Sequence, residues 1–218
     1  MHKIVSNFIS IQNEIKTQLK YNNQSINIIA VSKTFSIEHI KPLIDFGHNH
    51  FGENKVQEAI EKWTILKQAN NNLKLHLIGK LQSNKVRLAI PIFDYIHSLD
   101  NAKLAKKIFD EEKKLNKKVK IFIQVNIDNE PQKNGIKKED LYDFYNYSSK
   151  ELSLDIIGLM CIPPNNLDSN DYFKEMEHLN SKFKLKNLSM GMSNDYLNAI
   201  HNGANFVRIG SKIFGSRI

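Results

Sequence analysis

A lysine follows the first apolar segment of this chain, at a point where a reactive amine could be placed. Over residues 27–33 the sequence alternates so that Ile29, Val31 and Lys33 share one face of an extended strand. If that face lines a barrel, the Lys33 amine points into the mouth, where the loss of water disfavours the ammonium form. A neutral amine can form a Schiff base with a carbonyl compound, but a lysine at a strand end can also extend into solvent. The residues alone leave these two interpretations equally open.

Two segments near the C-terminus have the composition of an anion site. Arg208 shares a strand face with Phe206 and is followed by Gly210 and Ser211, which open a short helix, and Ser193 follows the preceding strand. Free backbone N–H groups at helix starts bind anions, and the loops after strands seven and eight form the recurrent phosphate site of (β/α)₈ barrels. The alternative is that both serines only cap helices and that Gly210 only makes a turn.

Other polar residues carry weaker signals. Asn54 follows the second strand and either faces the same mouth or caps the next helix. His76 lies within a strand and is typical of a hydrogen-bonded interior histidine. His48 and His50 could bind a metal only with further ligands, which the sequence does not offer. Cys161 is expected to be a partly buried structural thiol. No glycine-rich nucleotide motif and no nucleophilic-serine motif occurs.

The elements that would position these residues alternate regularly between apolar strands and amphipathic helices. A leading helix is predicted within residues 1–20, with apolar residues at helical spacing. Strands are predicted at 27–33, 50–52, 74–78, 94–98, 119–126, 154–160, 187–190 and 205–209. Helices are predicted at 36–46, from 54, and at 83–90, 101–115, 138–149, 169–183 and 195–201, with a last turn from 211.

This alternation predicts a parallel sheet with helices outside it. Eight units within 218 residues fit a single (β/α)₈ TIM barrel with an extra N-terminal helix, occupying residues 1–218 as one domain. A doubly wound open sheet is the alternative.

Composition excludes several classes of protein. Hydrophobic residues make up 41% and charged residues 25%, as in a soluble globular domain. The net charge is +8, but no arginine cluster or basic-aromatic pattern supports nucleic-acid binding. The single cysteine excludes an intramolecular disulfide and fits a cytoplasmic setting. No secretory signal and no apolar stretch of the roughly 20 residues needed to cross a membrane is present. We expect a monomer.

Eight segments also resemble, in order, the motifs of one family. They are A-V-S-K-T (30–34), F-G-E-N-K-V-Q-E (51–58), H-L-I-G-K-L-Q-S-N-K (76–85), Q-V-N (124–126), K-N-G (133–135), G-L-M-C-I-P-P (158–164), L-S-M-G-M-S (188–193) and V-R-I-G-S-K-I-F-G-S-R (207–217). The resemblance is to the YggS/PROSC family, whose members are called pyridoxal phosphate homeostasis proteins, and it covers nearly the whole chain.

This resemblance implies a barrel like the N-terminal domain of alanine racemase that binds pyridoxal 5′-phosphate (PLP). It implies that Lys33 holds the cofactor as a Schiff base and that Arg208 faces the pyridine nitrogen. The phosphate would be bound at Ser193, Gly210 and Ser211.

The same resemblance places Asn54 beside the cofactor ring. The sequence departs from the family at two points: Ser211 stands where many members have threonine, and Lys80 replaces a proline that some members carry. The first change keeps the hydroxyl, and neither changes the expected cofactor.

Two functions compete for such a site. One is a carrier that holds PLP and releases or transfers it, with PLP-dependent apo-enzymes as candidate recipients. The other is a PLP-dependent amino-acid racemase. The carrier is favoured because PLP stabilises a carbanion best when its pyridine nitrogen is protonated, and an arginine, always charged, cannot accept that proton. The chain also offers no second domain after strand eight to supply an opposing base, so any racemase or transaminase activity is expected to be weak. Nucleic-acid binding has only the net charge in its favour.

Overall fold

The computed structural model describes residues 1–19, 25–128, 130, 134–164 and 168–215. Within them, eight parallel strands pair in chain order and close into a barrel, because the first strand also pairs with the last. The strands are β1 (Asn27–Val31), β2 (His50–Glu53), β3 (Lys74–Leu77), β4 (Tyr95–Leu99), β5 (Lys120–Gln124), β6 (Ile156–Met160), β7 (Asn187–Ser189) and β8 (Phe206–Ile209). The predicted (β/α)₈ barrel is confirmed and the open sheet is excluded. Parts of two motif segments, at 133 and 216–217, lie outside the described residues.

A helix precedes β1 and the remaining helices follow the strands. They are α1 (Lys3–Gln18), α2 (Ile37–Asp45), α3 (Val56–Ala69), α4 (Val86–Ile92), α5 (Ala102–Leu115), α6 (Leu141–Asn146), α7 (Asn170–Lys182), α8 (Tyr196–His201) and α9 (Ser211–Phe214). A 3₁₀ turn, Ser83–Lys85, precedes α4, and a π-helical turn, Tyr147–Glu151, follows α6. No helix among the described residues is both long enough and apolar enough to cross a bilayer.

Two of the predicted helix boundaries away from the cavity are wrong. The helix expected at 83–90 was to stop before Pro91, but Pro91 lies inside α4. The last turn still closes because the Phe93 N–H donates to the Ala89 carbonyl at 3.0 Å, so the proline removes one helical hydrogen bond without ending the helix. The helix expected at 138–149 begins only at Leu141, since a turn joins Asp140 to Lys137.

The strands alternate between the barrel interior and the helix layer. Ile28 and Ala30 face outward into the large core between sheet and helices. The inward-facing cluster consists of Ile29, Tyr95, Phe122, Met160 and Phe206. Because Ile29 faces inward, the same alternation directs Val31 toward the mouth at the C-terminal ends of the strands, and Lys33 follows it.

Helix α1 packs against α2 and α9. Its buried face is made of apolar residues at helical spacing, as predicted: Ile4, Phe8, Ile11 and Ile15. Asn7 donates a side-chain hydrogen bond of 3.0 Å to the Ile213 carbonyl of α9. The additional helix therefore supports the last helix of the barrel from below.

Candidate functional site

A cavity of about 660 Å³ opens at the C-terminal mouth of the barrel. All the residues singled out as a binding site from the sequence line it, although they come from four separate segments of the chain. They are Lys33, Asn54, Ser193, Arg208, Gly210 and Ser211. The structure thus brings together an amine, a guanidinium, an amide and two hydroxyl groups in one concave space.

The backbone on both sides of Lys33 is held by side chains of α3. Lys62 Nζ donates to the Ser32 carbonyl at 3.0 Å, and a Glu58 carboxylate oxygen accepts from the Thr34 N–H. Thr34 has a φ of +69°, a conformation that few non-glycine residues adopt without support. Lys33 itself is half-buried, so its side chain enters the cavity from an anchored backbone.

A buried carboxylate lies behind this segment. One oxygen of Glu53 accepts from Ser32 Oγ at 2.8 Å, from Trp63 Nε1 at 2.9 Å and from Lys62 Nζ at 3.0 Å. Burial raises the pKa of Glu53 even though these three donors favour its ionised form. Sequence reasoning missed this group, because nothing in the sequence joins a strand-end Glu53 to a lysine two turns into the following helix.

The loops after β7 and β8 meet at Ser193. Its Oγ accepts from the N–H groups of Gly210 and Lys212 at 3.4 and 3.5 Å. Neither serine of the pair is a helix N-cap, since that position belongs to Asp195 in α8 and to Gly210 in α9. The prediction that Ser193 and Ser211 are themselves helix N-cap residues is therefore wrong, although Ser193 accepts hydrogen bonds from the first turn of α9.

Asn54 is also not a helix cap. Helix α3 begins at Val56 with Lys55 as its N-cap, so the prediction of a helix that starts at Asn54 is wrong by two residues. The loop after β3 approaches Asn54 closely: a Cβ on Gly79 would lie 2.4 Å from the Asn54 carbonyl oxygen. Asn54 therefore lies between the ends of β2 and β3, where it lines the cavity.

Arg208 is the buried cation of the site, with 4% of its surface exposed. Its Nη1 donates to Ser189 Oγ at 2.7 Å and its Nη2 donates to the Cys161 carbonyl at 2.9 Å. Burial lowers the pKa of the guanidinium from its ordinary value, but an arginine retains its proton in any accessible pH range. The two hydrogen bonds fix the plane of the guanidinium at the cavity wall.

Cys161 is fully buried, so the prediction of a partly buried thiol is wrong in degree. Burial raises its pKa to about 12, which leaves it protonated and inert at neutral pH. Its contribution to the site is its backbone carbonyl.

Three histidines inside the barrel were not recognised as a group from the sequence. His76 is buried with both ring nitrogens hydrogen-bonded, as expected of an interior histidine, and its partners are His50 and His97. His48 contacts the carbonyl of His50, and no three histidine, cysteine, aspartate or glutamate side chains of the described residues are arranged so that they could hold a metal ion. The signal that could have found them is their inward position on three successive strands.

Comparison with known proteins places this chain and its fold in a family. The sequence profile of the alanine racemase N-terminal domain matches residues 10–218. The pyridoxal phosphate homeostasis protein of Haemophilus influenzae is 37% identical, over 98% of this chain and 96% of its own. That of Escherichia coli K12 is 32% identical, over 100% and 98%.

Solved structures agree. PipY of Synechococcus elongatus, determined with PLP bound, has a TM-score of 0.87 and 32% identity, covering 98% of this chain and 100% of its own. Alanine racemase of Clostridium difficile shares the fold, with a TM-score of 0.74 and 17% identity, and this chain covers 57% of its length. The chain thus belongs to the pyridoxal phosphate homeostasis protein family.

Proposed function

We propose that this chain binds PLP in the mouth of the barrel and holds it for release or transfer to other proteins. The convergence of Lys33, Arg208 and two serine-containing loops on one cavity carries the proposal. Relatives named for PLP homeostasis, and one solved with PLP bound, support it. The proposal includes residues 1–218 as a single domain, a monomeric state, a cytoplasmic location and apo-enzymes as recipients. The lone buried cysteine is consistent with a reducing compartment.

When bound, PLP supplies an aldehyde that captures amines and a ring that withdraws electrons. Lys33 would hold the aldehyde carbon covalently through its side-chain amine. The anchors at Ser32 and Thr34 fix the backbone from which the Lys33 side chain extends, so little backbone entropy remains to be lost there on binding.

The phosphate would occupy the space between Ser193, Gly210 and Ser211. The N–H groups of Gly210 and Lys212 now share one hydroxyl oxygen at 3.4 and 3.5 Å, which are long hydrogen bonds. An anion in this position would receive shorter, charge-assisted bonds from the same donors. The donor set therefore fits a phosphate.

Arg208 would face the pyridine nitrogen, and Asn54 would lie beside the ring. Because a guanidinium donates hydrogen bonds and accepts none, Arg208 keeps a ring nitrogen in its unprotonated form. It thereby limits how strongly the ring can stabilise negative charge on a bound amino acid.

The racemase alternative needs a second acid–base group opposite Lys33. Among the described residues that line the cavity, the titratable side chains are Lys33, Asp195 and Arg208. Asp195 accepts from the Met192 N–H at 2.6 Å within its own loop, and Arg208 is a permanent cation. Among the described lining residues, Lys33 is therefore the base left for such chemistry, while Asp195 is engaged in its own loop, which supports a carrier with weak or no turnover.

The covalent site is tested by borohydride reduction of the PLP-loaded protein, followed by proteolysis and mass spectrometry. We expect phosphopyridoxyl on Lys33 and its loss in Lys33→Ala. The matched variant Lys80→Ala, at an exposed lysine, should retain the label. A label found only on other lysines would reject the assignment.

Turnover is tested by incubating the PLP-loaded protein with L- and D-alanine in heavy water. We expect the absorption spectrum to change as the amino acid displaces Lys33, with α-deuteration far below about 1 s⁻¹, the low end of ordinary enzyme rates. The reason is that each general acid–base group contributes roughly 10²–10⁴-fold. Deuteration at or above that rate would establish the racemase instead.

A further inference from the structure

A continuous chain of hydrogen bonds crosses the barrel interior from its N-terminal end to Arg208. His50 Nδ1 lies 2.9 Å from His76 Nε2, His76 Nδ1 lies 2.9 Å from His97 Nε2, and His97 Nδ1 lies 2.8 Å from Ser189 Oγ. Ser189 Oγ in turn accepts from Arg208 Nη1 at 2.7 Å. We call His50, His76, His97 and Ser189 the histidine chain.

The histidine chain is enclosed by aromatic rings. Tyr95 stacks on His76 with ring centroids 4.2 Å apart, and Phe122 stacks on His97 at 4.3 Å. His76, His97 and Ser189 have no exposed surface, whereas His50, the first residue of β2, is half-buried at the N-terminal end. Solvent therefore reaches this chain at His50.

Neutral imidazoles impose one direction on such a chain. Burial lowers the pKa values of His76 and His97 well below the ordinary value, so both rings are neutral. A neutral ring has one N–H donor and one acceptor, and both nitrogens of each ring are engaged here. The hydrogens of the chain must then all point toward Arg208 or all point toward His50.

The two directions differ at Ser189. When the hydrogens of the histidine chain point toward His50, the Ser189 hydroxyl donates to His97 and its oxygen accepts from Arg208 alone. When they run toward Arg208, His97 Nδ1–H donates to Ser189, whose oxygen then accepts from both. Donating strengthens a hydroxyl as an acceptor through cooperative polarisation, so Arg208 is held more firmly in the first state.

We propose that Ser189 and His97 are positioning residues for Arg208, and that His50 sets the direction of the histidine chain. A proton added to His50 occupies both of its ring nitrogens, so Nδ1 must donate to His76 Nε2. His50 takes this proton from solvent. His76 and His97 each keep one hydrogen but carry it on Nδ1 instead of Nε2, by exchange of ring hydrogens with solvent, and the Ser189 hydroxyl keeps its hydrogen but turns it away from His97. No net charge reaches Arg208. The effect on the cofactor rests on the proposed function, in which Arg208 faces the ring.

Groups on several neighbouring elements shift the pKa of His50. Burial lowers its pKa, Lys74 and Lys120 lower it further, and Asp94 raises it. The titratable groups that face His50 are His48, Lys74, His76, Asp94, Tyr95 and Lys120. Its protonation is therefore expected below the ordinary histidine range, in mildly acidic solution.

The histidine chain is tested first in the protein without cofactor. Nitrogen-15 NMR of the PLP-free protein assigns the protonated nitrogen of each histidine ring. We expect His76 and His97 to exchange tautomers together as His50 is protonated, and to stop doing so in His50→Gln. Fixed tautomers throughout the titration of His50 would overturn the proposed control by His50.

The effect on the site is tested by the absorption spectrum of PLP-loaded variants. We expect Ser189→Ala to shift the absorption maximum and speed PLP release about tenfold, the loss of one hydrogen bond to a charged group. His97→Asn shortens the side chain so that it no longer reaches His76, and it should therefore lose, like His50→Gln, the part of the pH response that passes through the histidine chain. His178→Gln, at an exposed histidine, should keep that response.

Several outcomes would overturn the inference. A spectrum of Ser189→Ala identical to wild type would remove the positioning role. If Ser189→Ala fails to fold, the pH titrations of the absorption spectrum in His97→Asn and His50→Gln are compared with that of His178→Gln. Identical titrations in all three variants would overturn the inference. If wild type takes up no PLP, the proposed function fails, while the NMR result still decides the behaviour of the chain.

Discussion

Ser193 joins two loops that are adjacent only in the folded barrel, and its hydroxyl is shared by the N–H groups of Gly210 and Lys212. We expect Ser193→Ala and Ser211→Ala each to weaken PLP retention about ten- to a hundredfold, because each removes a hydrogen bond to a charged group. Equilibrium dialysis with PLP measures the change.

The matched control is Ser181→Ala, which removes an exposed hydroxyl from α7. Retention in that variant should equal wild type. A double variant of Ser193 and Ser211 that still retained PLP normally would assign both serines to loop structure alone.

The residues at the strand ends could be predicted because they obey a local rule. Lys33 follows an alternating apolar strand, and Arg208 lies two residues after an inward Phe206, so the direction of each side chain can be read from its neighbours. The hydrogen-bond partners of these residues could not be predicted in this way. Ser189 and the Cys161 carbonyl contact Arg208 only after three different strands are placed side by side.

Helix α3 forms a buried ion pair with the last residue of β2. Lys62 Nζ lies 3.0 Å from Glu53, and the two side chains are 9% and 0% exposed. We expect Lys62→Met to lower the free energy of unfolding by about 3–5 kcal/mol, because it leaves Glu53 as a buried charge without its cation. Urea unfolding measures this loss.

Two further variants test whether this loss of stability comes from the unpaired buried charge of Glu53. Lys41→Met breaks an exposed pair whose side chains are 63% and 58% exposed, and should cost less than about 1 kcal/mol. Adding Glu53→Gln to Lys62→Met should recover part of the loss, since the charge is removed with its partner. Equal effects for Lys62→Met and Lys41→Met would contradict the argument.

Element type and order could be predicted from periodicity, and element ends could not. Most predicted strands are one to three residues longer than the observed ones, whereas predicted β2 is one residue too short and β4 is displaced by one residue. The helix through Pro91 was drawn too short, since a proline in the last turn removes only one hydrogen bond. The π-helical turn at Tyr147–Glu151 has no signal in the sequence pattern that separates it from an ordinary helix.

Buried neutral histidines make the stability of the whole molecule depend on pH. Burial lowers the pKa of His48 from 6.5 to about 4, and those of His76 and His97 lie well below 6.5. Below pH 6.5 the unfolded chain takes up protons that the folded rings do not. Stability is therefore fully present above pH 6.5 and is lost as the pH falls toward the folded pKa values.

Each such histidine contributes a slope of about 1.4 kcal/mol per pH unit in this window. We expect His48→Phe, whose ring replaces one packed between Phe8 and Phe51, to reduce the slope between pH 6 and 4.5 by about that amount. His178→Gln should leave the slope unchanged because that residue is exposed. An unaltered slope in His48→Phe, measured by urea unfolding at several pH values, would mean that other groups govern acid unfolding.

The pairing of β1 with β8 places Ile29 opposite Arg208 and so closes the barrel at the cavity. Lys33 follows the first strand, whereas Arg208 lies on the eighth strand and Gly210 and Ser211 follow it. The proposed cofactor site is therefore incomplete until β8 pairs with β1. Because such non-local pairing is a slow step in folding and a ligand stabilises only the state that binds it, capture of PLP would report closure of the barrel and favour the closed barrel over its open precursors.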